Sequence, residues 1–225
     1  MRIAVLGATG MVGSRVVDEA SARGRRVIAL SRRPVGRAAR RPNVTPVVVD
    51  ANDSRAVREA LEGLASHGGV DAVVLAVRTM PVDEEFLVGT TRTVLDVAAE
   101  FGLRVLVIGG AGALRSPDDP HLLVADNTAF VPADIKAVAA AGVAQLRTCQ
   151  SHAEADWVYL SPPALLEPGV RTGGYRRGTD TLLVDADGRS WISAEDLAVA
   201  VVDELEAPGP DPHVTVVHRS EPPST

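Results

Sequence analysis

Short runs of Val, Ile, Leu and Ala recur along the chain at 3–6, 26–30, 44–49, 72–76, 105–108, 157–160 and 214–217. In most of them the apolar residues are consecutive rather than alternating, the pattern of strands covered on both faces. Between these runs the apolar positions fall at helical spacing. Val12, Val16, Val17 and Ala20 predict a helix ending near Gly24, and Val57, Ala60, Leu61 and Leu64 predict another after the turn signal Asn52-Asp53-Ser54. A longer helix is expected over 84–101, closed by Gly102, and a further one over 133–148. Ser193-Ala194-Glu195-Asp196 has the form of a capping box and opens a helix running to Leu205. Strand and helix in steady alternation predict an α/β fold, a doubly wound parallel sheet with helices on both faces.

Two stretches break the alternation. A Gly/Pro/Asp-rich loop covers 109–132 after the fifth strand, and a second covers 162–178 after the sixth. Residues 180–192 then read as a hairpin around Asp185-Ala186-Asp187-Gly188, and 221–225 as a frayed tail. Long loops at the carboxyl ends of parallel strands are where such sheets receive ligands. The expectation is therefore one domain over 1–225, with 109–132 and 162–192 forming its substrate side.

Composition narrows the classes. The chain has 225 residues, 46% hydrophobic and 23% charged, which fits a folded globular domain and excludes disorder. A net charge of -6 argues against a nucleic-acid footprint, which needs a basic face. The single cysteine, Cys149, excludes an internal disulfide and a cysteine-based zinc site; it reads as a packing residue. The carboxylates of the 185–188 turn lack EF-hand spacing, so no metal site is expected. Neither a secretory signal nor a membrane-spanning run is visible, so the expected setting is cytoplasmic. A small-molecule partner is expected, and the oligomeric state stays open.

The chemistry begins at Gly7-Ala8-Thr9-Gly10-Met11-Val12-Gly13, between the first strand and the first helix. Gly7 permits a tight turn, Gly10 lets the backbone approach a pyrophosphate, and Gly13 lets the helix pack on the strand. The backbone of Thr9, Met11 and Val12 then presents N–H groups and the positive end of the helix to phosphate. This is the order of a Rossmann dinucleotide site. The alternative, a purely structural glycine turn, has less support because strand and helix flank the motif so clearly.

An NAD-specific site would place Asp or Glu about 20 residues beyond the glycines. No acidic residue lies between Glu19 and Asp50; the second strand instead ends Ser31-Arg32-Arg33-Pro34. Guanidinium forks suit a 2′-phosphate, so NADP(H) is favoured over NAD(H). The competing reading makes Arg32 and Arg33 two more solvated charges. From topology, Asp50 and Ala51 would meet the adenine, with a helix-capping role for Asp50 equally open, and Ala76, Val77 and Arg78 would lie along ribose and pyrophosphate.

These residues, with Gly109-Gly110-Ala111-Gly112, Asp156-Trp157-Val158-Tyr159-Leu160-Ser161-Pro162-Pro163 and Ile192-Ser193-Ala194-Glu195-Asp196-Leu197-Ala198, resemble the atypical short-chain dehydrogenase/reductases. The sequence is most similar to small NAD(P)H-binding reductases of the flavin/biliverdin reductase kind and to redox-sensing nitrogen repressors. The resemblance covers nearly the whole chain. It implies a Rossmann sheet with the cofactor across the strand ends, Gly109, Gly110 and Ala111 beside the nicotinamide, and Ser161 and Pro162 near the same end.

One departure matters. Conventional short-chain dehydrogenases use a Tyr-x-x-x-Lys pair, but Tyr159 and Tyr175 are followed four residues on by Pro163 and Thr179. The fifth strand also lacks the hydroxyl that usually accompanies that tyrosine. Lys136, the one lysine of the chain, stands where similar sequences show Tyr-Lys, with Ile135 in the tyrosine's place. Its expected role is ribose binding, with proton donation second. His121 and Tyr175, from the two long loops, complete the catalytic candidates, each with a plain surface or packing role as its alternative.

A missing proton donor favours acceptors that stabilise the arriving negative charge themselves. The expected activity is NADP(H)-dependent reduction of a quinone, flavin or enone. A non-catalytic NADP(H) sensor, an NAD(P)-dependent isomerase or epimerase, and a biosynthetic tailoring enzyme on the same fold remain the rivals.

Overall fold

The computed structural model describes residues 1–33, 41–185 and 188–219. Pro34, the Ala186-Asp187 pair of the expected turn and 221–225 lie outside them.

All seven apolar runs form strands: β1 (Arg2–Leu6), β2 (Arg26–Ser31), β3 (Val44–Val48), β4 (Ala72–Leu75), β5 (Arg104–Ile108), β6 (Asp156–Ser161) and β10 (His213–His218). The helices between them are α1 (Met11–Ala22), α2 (Ser54–Gly68), α3 (Glu84–Phe101), α4 (Lys136–Gln150) and α5 (Ala194–Glu206). Sheet order is β3-β2-β1-β4-β5-β6-β10-β8, parallel throughout except for the edge strand β8 (Tyr175–Gly178), which runs antiparallel to β10. The chain winds outward from β1 to β3 and then restarts at β4 on β1's other side. The crevice between β1 and β4 is thus the switch point, where doubly wound sheets hold nucleotides.

Both faces of the sheet are covered, which is why the strands read as unbroken apolar runs. In β1, Ile3 and Val5 join Val16, Val17 and Ala20 of α1 and Leu197 and Val201 of α5. Ala4 and Leu6 point the other way, into a layer with Leu61 of α2, Val94 of α3 and Leu146 of α4. Successive side chains leave a strand on opposite faces, so neither core tolerates a polar position.

Three short strands were not predicted. β7 (Leu165–Glu167) pairs in parallel with β9 (Trp191–Ser193), and β8 closes the main sheet. They span three or four residues and carry Pro, Gly and Arg neighbours rather than an apolar run, so no periodicity announces them. The expected hairpin over 180–192 needs correction. Asp185 N–H does donate to the Arg189 carbonyl at 2.7 Å, but among the described residues the flanks form no strand pair with each other. Leu182 N–H is taken by the Arg115 carbonyl and the Ser190 carbonyl accepts from Leu165, while Ser190 Oγ donates to the Leu183 carbonyl at 2.7 Å, so a side chain joins the arms and their backbones bond to different neighbours. The expected helix over 133–148 begins with a 3-10 turn, Ala133–Ile135, and only then becomes α4.

Candidate active site

The glycine elbow is built by backbone contact. Gly7 has φ +95°, and a Cβ there would overlap the Ala76 carbonyl at the end of β4. A Cβ on Gly13 would overlap the Gly7 carbonyl. These two glycines therefore let β1, β4 and α1 converge at the switch point. Gly10 differs: a Cβ there would sit 3.3 Å from the Gly7 carbonyl oxygen, a tight but not prohibitive contact, and the residue faces outward. The N–H groups of Gly7 and Ala8 both donate to the Leu30 carbonyl, at 3.0 and 3.1 Å, which ties the elbow to β2.

Thr9, Gly10 and Met11 are exposed at the mouth of α1. Gly10 is the N-cap and supplies no side-chain acceptor, and the first turn carries no acidic residue. The N–H groups of Met11, Val12 and Gly13 have no acceptor among the described residues. By contrast α2, α3 and α5 are capped by Asp53, Asp83 and Ser193, whose side chains accept from Ala56, Phe86 and Asp196 N–H. Among the α-helices of the described residues only α4 shares the missing cap, and it is entered through its 3-10 turn. An open helix end with about half a positive charge at a switch point would stabilise an anion.

Around this elbow the structure gathers most of the expected cofactor residues. Arg32 and Arg33 are exposed beyond β2; the Arg33 carbonyl accepts from Ser31 Oγ, while no hydrogen bond or ion pair of either guanidinium group is found among the described residues. Asp50 ends the neighbouring strand's turn. Hydrogen bonds from Asn52 N–H and Nδ2, at 3.0 and 2.8 Å, hold its carboxyl below the ordinary range, and the Arg32 charge adds to this. Its suggested capping role belongs to Asp53; Asp50 instead shapes the turn before α2. The Ala51 carbonyl accepts from Thr90 Oγ1 at 3.1 Å, and Val77 is half-buried behind Gly7. Arg78 is exposed, its guanidinium 3.2 Å from the Met80 sulfur.

At the other end of the site, Gly109, Gly110 and Ala111 leave β5 half-buried, with Gly109 N–H donating to the Leu160 carbonyl at 2.9 Å. The Ala111–Ala113 turn packs under α4, where a Cβ on Gly112 would stand 2.7 Å from the Ala139 carbonyl oxygen. Lys136, the first residue of α4, is exposed; its backbone N–H donates to the Ala133 carbonyl, and its ammonium has no polar partner among the described residues. A cation there opposes the helix dipole by a few tenths of a kcal/mol, so α4 gains nothing from it. Ser161 and Pro162 are buried, and the serine hydroxyl faces His213 Nε2 at 2.9 Å rather than an open site.

The other catalytic candidates lie apart. His121 is exposed, its backbone N–H on Asp119, its ring unpartnered among the described residues. Tyr175 sits on β8, five sheet positions from β1, or about 24 Å at normal strand spacing. Its hydroxyl donates to Asp203 Oδ2 at 2.7 Å; burial, that bond and the Asp203 charge push its pKa upward. It braces β8 against α5. The segments 109–132 and 162–192 do meet, through a residue the sequence did not single out. Arg115 N–H donates to the Asp180 carbonyl at 2.7 Å, and its guanidinium binds the Asp180 carboxylate at 2.9 Å and the Pro120 carbonyl at 2.6 Å.

A model of the family described as NAD(P)H-binding matches residues 7–208. The chain belongs to that family. An uncharacterized Bacillus subtilis protein, YwnB, is 31% identical over 98% of this chain and 100% of its own length. Among solved structures, a candidate epimerase of Bacteroides thetaiotaomicron is 32% identical, covers 98% of both chains and superposes with a TM-score of 0.83. A candidate NADH-flavin reductase of Streptococcus pneumoniae shares the fold with a TM-score of 0.82 at 24% identity, over 97% of this chain and 100% of that one. The fold and the nicotinamide-nucleotide family expected from the glycine motif therefore stand. Among the described residues of this NAD(P)H-binding protein, no helix is long and apolar enough to cross a membrane.

Proposed function

We propose that this chain is an NADP(H)-dependent reductase that passes hydride to a small conjugated acceptor, a quinone, flavin or enone. The observation that carries the reading is the uncapped N-terminus of α1 at the switch point, with Arg32 and Arg33 exposed at the next strand end. The diphosphate would take the N–H groups of Met11, Val12 and Gly13, and the two guanidinium groups favour a 2′-phosphate over a bare ribose. When bound, the dihydronicotinamide supplies the hydride; the Gly109–Ala111 backbone would lie against it, and Lys136 would bind its ribose. Residues 109–132 and 162–192, stapled at Arg115, would form the wall that holds the acceptor. The Streptococcus protein's candidate role in flavin reduction agrees with this choice of acceptor.

Neither tyrosine is available as a proton donor, since Tyr159 is fully buried and Tyr175 is bound to Asp203. A simple ketone needs an acid as hydride arrives, whereas a quinone or flavin spreads the charge and takes protons from water afterwards. The test is NADPH oxidation at 340 nm with a panel of quinones and flavins. Turnover with these and none with simple ketones is expected; absorbance loss no greater than in protein-free controls would overturn the reading. Tight NADPH binding without any oxidation would favour a sensor, the rival suggested by the same lack of a free tyrosine.

A further inference from the structure

The turn after β5 rests on a residue that belongs to the next strand. A Cβ on Gly109 would overlap the Cζ, Cε1 and hydroxyl of Tyr159, so the phenol ring occupies the volume a side chain at 109 would need. Tyr159 is fully buried, and its hydroxyl donates to the Gly142 carbonyl of α4 at 2.9 Å and lies 3.3 Å from Gln145 Oε1. Gly142 in turn has room for a Cβ only 3.7 Å from Gly110 Cα and N. Burial pushes the Tyr159 pKa up, partly offset by the Gly110 amide facing its oxygen. Ring and hydroxyl thus hold Gly109 and Gly110 against α4 from beneath.

The same ring meets His213 edge-on, with centroids 5.5 Å apart and planes at 80°. His213 stands opposite Tyr159 in the β10–β6 register, and its Nε2 lies 2.9 Å from Ser161 Oγ. Burial lowers the His213 pKa, with the nearby Asp180 carboxylate opposing. One continuous set, Gly142, Tyr159, His213 and Ser161, therefore runs under both turns that border the acceptor end of the site.

We infer that Tyr159 and His213 are positioning residues for hydride transfer, holding the Gly109–Ala111 and Ser161–Pro163 turns at a fixed separation below the reacting groups. The inference rests on the proposed reductase reading, because the two turns matter only if they border the nicotinamide and acceptor. It also explains the missing hydroxyl after β5: in this chain the space for a side chain at 109 is filled by a tyrosine from β6. Neither residue touches the reactants, so their effect is on geometry alone, where a displacement of about an ångström costs ten- to a hundredfold in rate.

The test uses His213→Ala, His213→Gln and Tyr159→Phe in the full chain. The first removes the Ser161 partner at a half-buried position, the second restores an amide able to reach Ser161, and the third removes only the hydroxyl. Hydrogen exchange without any ligand is expected to quicken at the amides of 109–113 in Tyr159→Phe and at 160–161 in His213→Ala. With NADPH and 1,4-naphthoquinone, kcat should fall about tenfold in both variants. The NADPH Kd, measured by calorimetry, should stay within twofold, and His213→Gln should recover most of the rate. Unchanged exchange in folded variants would overturn the inference, as would faster exchange with unchanged kcat. A wild-type protein that binds no NADPH would instead refute the reductase reading, and the exchange data would still decide whether the two residues brace the turns.

Discussion

Helices α1 and α5 lie side by side and begin at the same edge of the sheet, as the pairs Arg15–Glu195 at one end and Arg23–Asp203 at the other show. Their N-termini are finished in opposite ways. At α5, Ser193 Oγ accepts from Asp196 N–H at 3.0 Å. The fully buried Asp196 carboxylate accepts from Thr172 N–H, Thr172 Oγ1 and Gly173 N–H at 2.8, 2.6 and 2.7 Å. Glu195 takes the Gly169 N–H and Arg15. Negative charge is thus already supplied to that end by the chain itself, and the 169–173 segment is tied down by it. At α1 the corresponding place holds the N–H groups of exposed Met11, half-buried Val12 and buried Gly13, with no acidic residue in the first turn. The same dipole anchors a loop at one helix and is left without a charged partner at its neighbour, where an anion would be stabilised.

Closing the open end should have the largest effect. Gly10→Asp gives α1 the side-chain cap that its neighbours have, at an extended N-cap with φ -73°. Thermal stability is expected to hold or rise by a few tenths of a kcal/mol, while the new charge weakens NADPH binding by about a hundredfold, or about 2.7 kcal/mol. Melting curves and calorimetry on the same preparation check the two halves; a stabilised variant with unaltered affinity would break the comparison.

Opening the closed end should do the reverse. In Asp196→Asn an amide group replaces one oxygen among three donors in a fully buried place, so about 2–3 kcal/mol of stability is expected to be lost. Denaturant midpoints read that loss, and NADPH affinity should remain within about twofold. Reduced affinity with intact stability would contradict the division of labour.

Glu19 of α1 extends the same contrast down the helix pair. It is buried and joined to Arg171 at 2.7 and 2.8 Å and to Arg23 at 2.8 Å. The Arg171 hydrogen bonds hold its carboxyl below the ordinary 4.5, against the opposing effect of burial and with help from Arg23. A depressed folded pKa stabilises above the unfolded value, so this contribution is complete above about pH 5 and fades as pH falls through the folded pKa. Glu19→Gln is expected to lower stability by about 2 kcal/mol at pH 7, and the gap to the parent should narrow in urea melts at pH 3. A gap of constant size would mean that packing, not charge, accounts for Glu19. The smallest effect is at the rim: Arg32→Ser with Arg33→Ser should weaken NADPH about tenfold and leave NADH unaltered, consistent with exposed charge-assisted bonds of about 1.4 kcal/mol.

Much of the frame is legible in sequence because its causes are local. Strands such as Val105–Ile108 announce themselves by consecutive apolar residues, and the elbow by three glycines whose crowding lies within one turn and its neighbouring strand. The expected helix over 84–101 matches α3, since Asp83 and Gly102 cap it from adjacent positions. Tyr175 reads differently in isolation: beside Arg176 and Arg177 it resembles a ligand-binding phenol, yet Asp203, 28 residues on, claims its hydroxyl. His213 and Ser161 are 52 residues apart, and only the β6–β10 register brings them together. Two signals of that buried set are visible in the sequence, a phenol in the middle of the apolar run Trp157-Val158-Tyr159-Leu160 and a histidine opening the last strand. Arg115 carried no signal, because one arginine among many looks alike until Asp180 is placed beside it.

In the proposed reductase, the bare end of α1 would receive a nucleotide's diphosphate. Titration calorimetry of NADPH into the unmodified chain, repeated with excess inorganic pyrophosphate, tests it most directly. Saturable one-to-one binding with a Kd of roughly micromolar order is expected, weakened by the pyrophosphate in proportion to its concentration. Heat indistinguishable from dilution with both NADPH and NADH would contradict it.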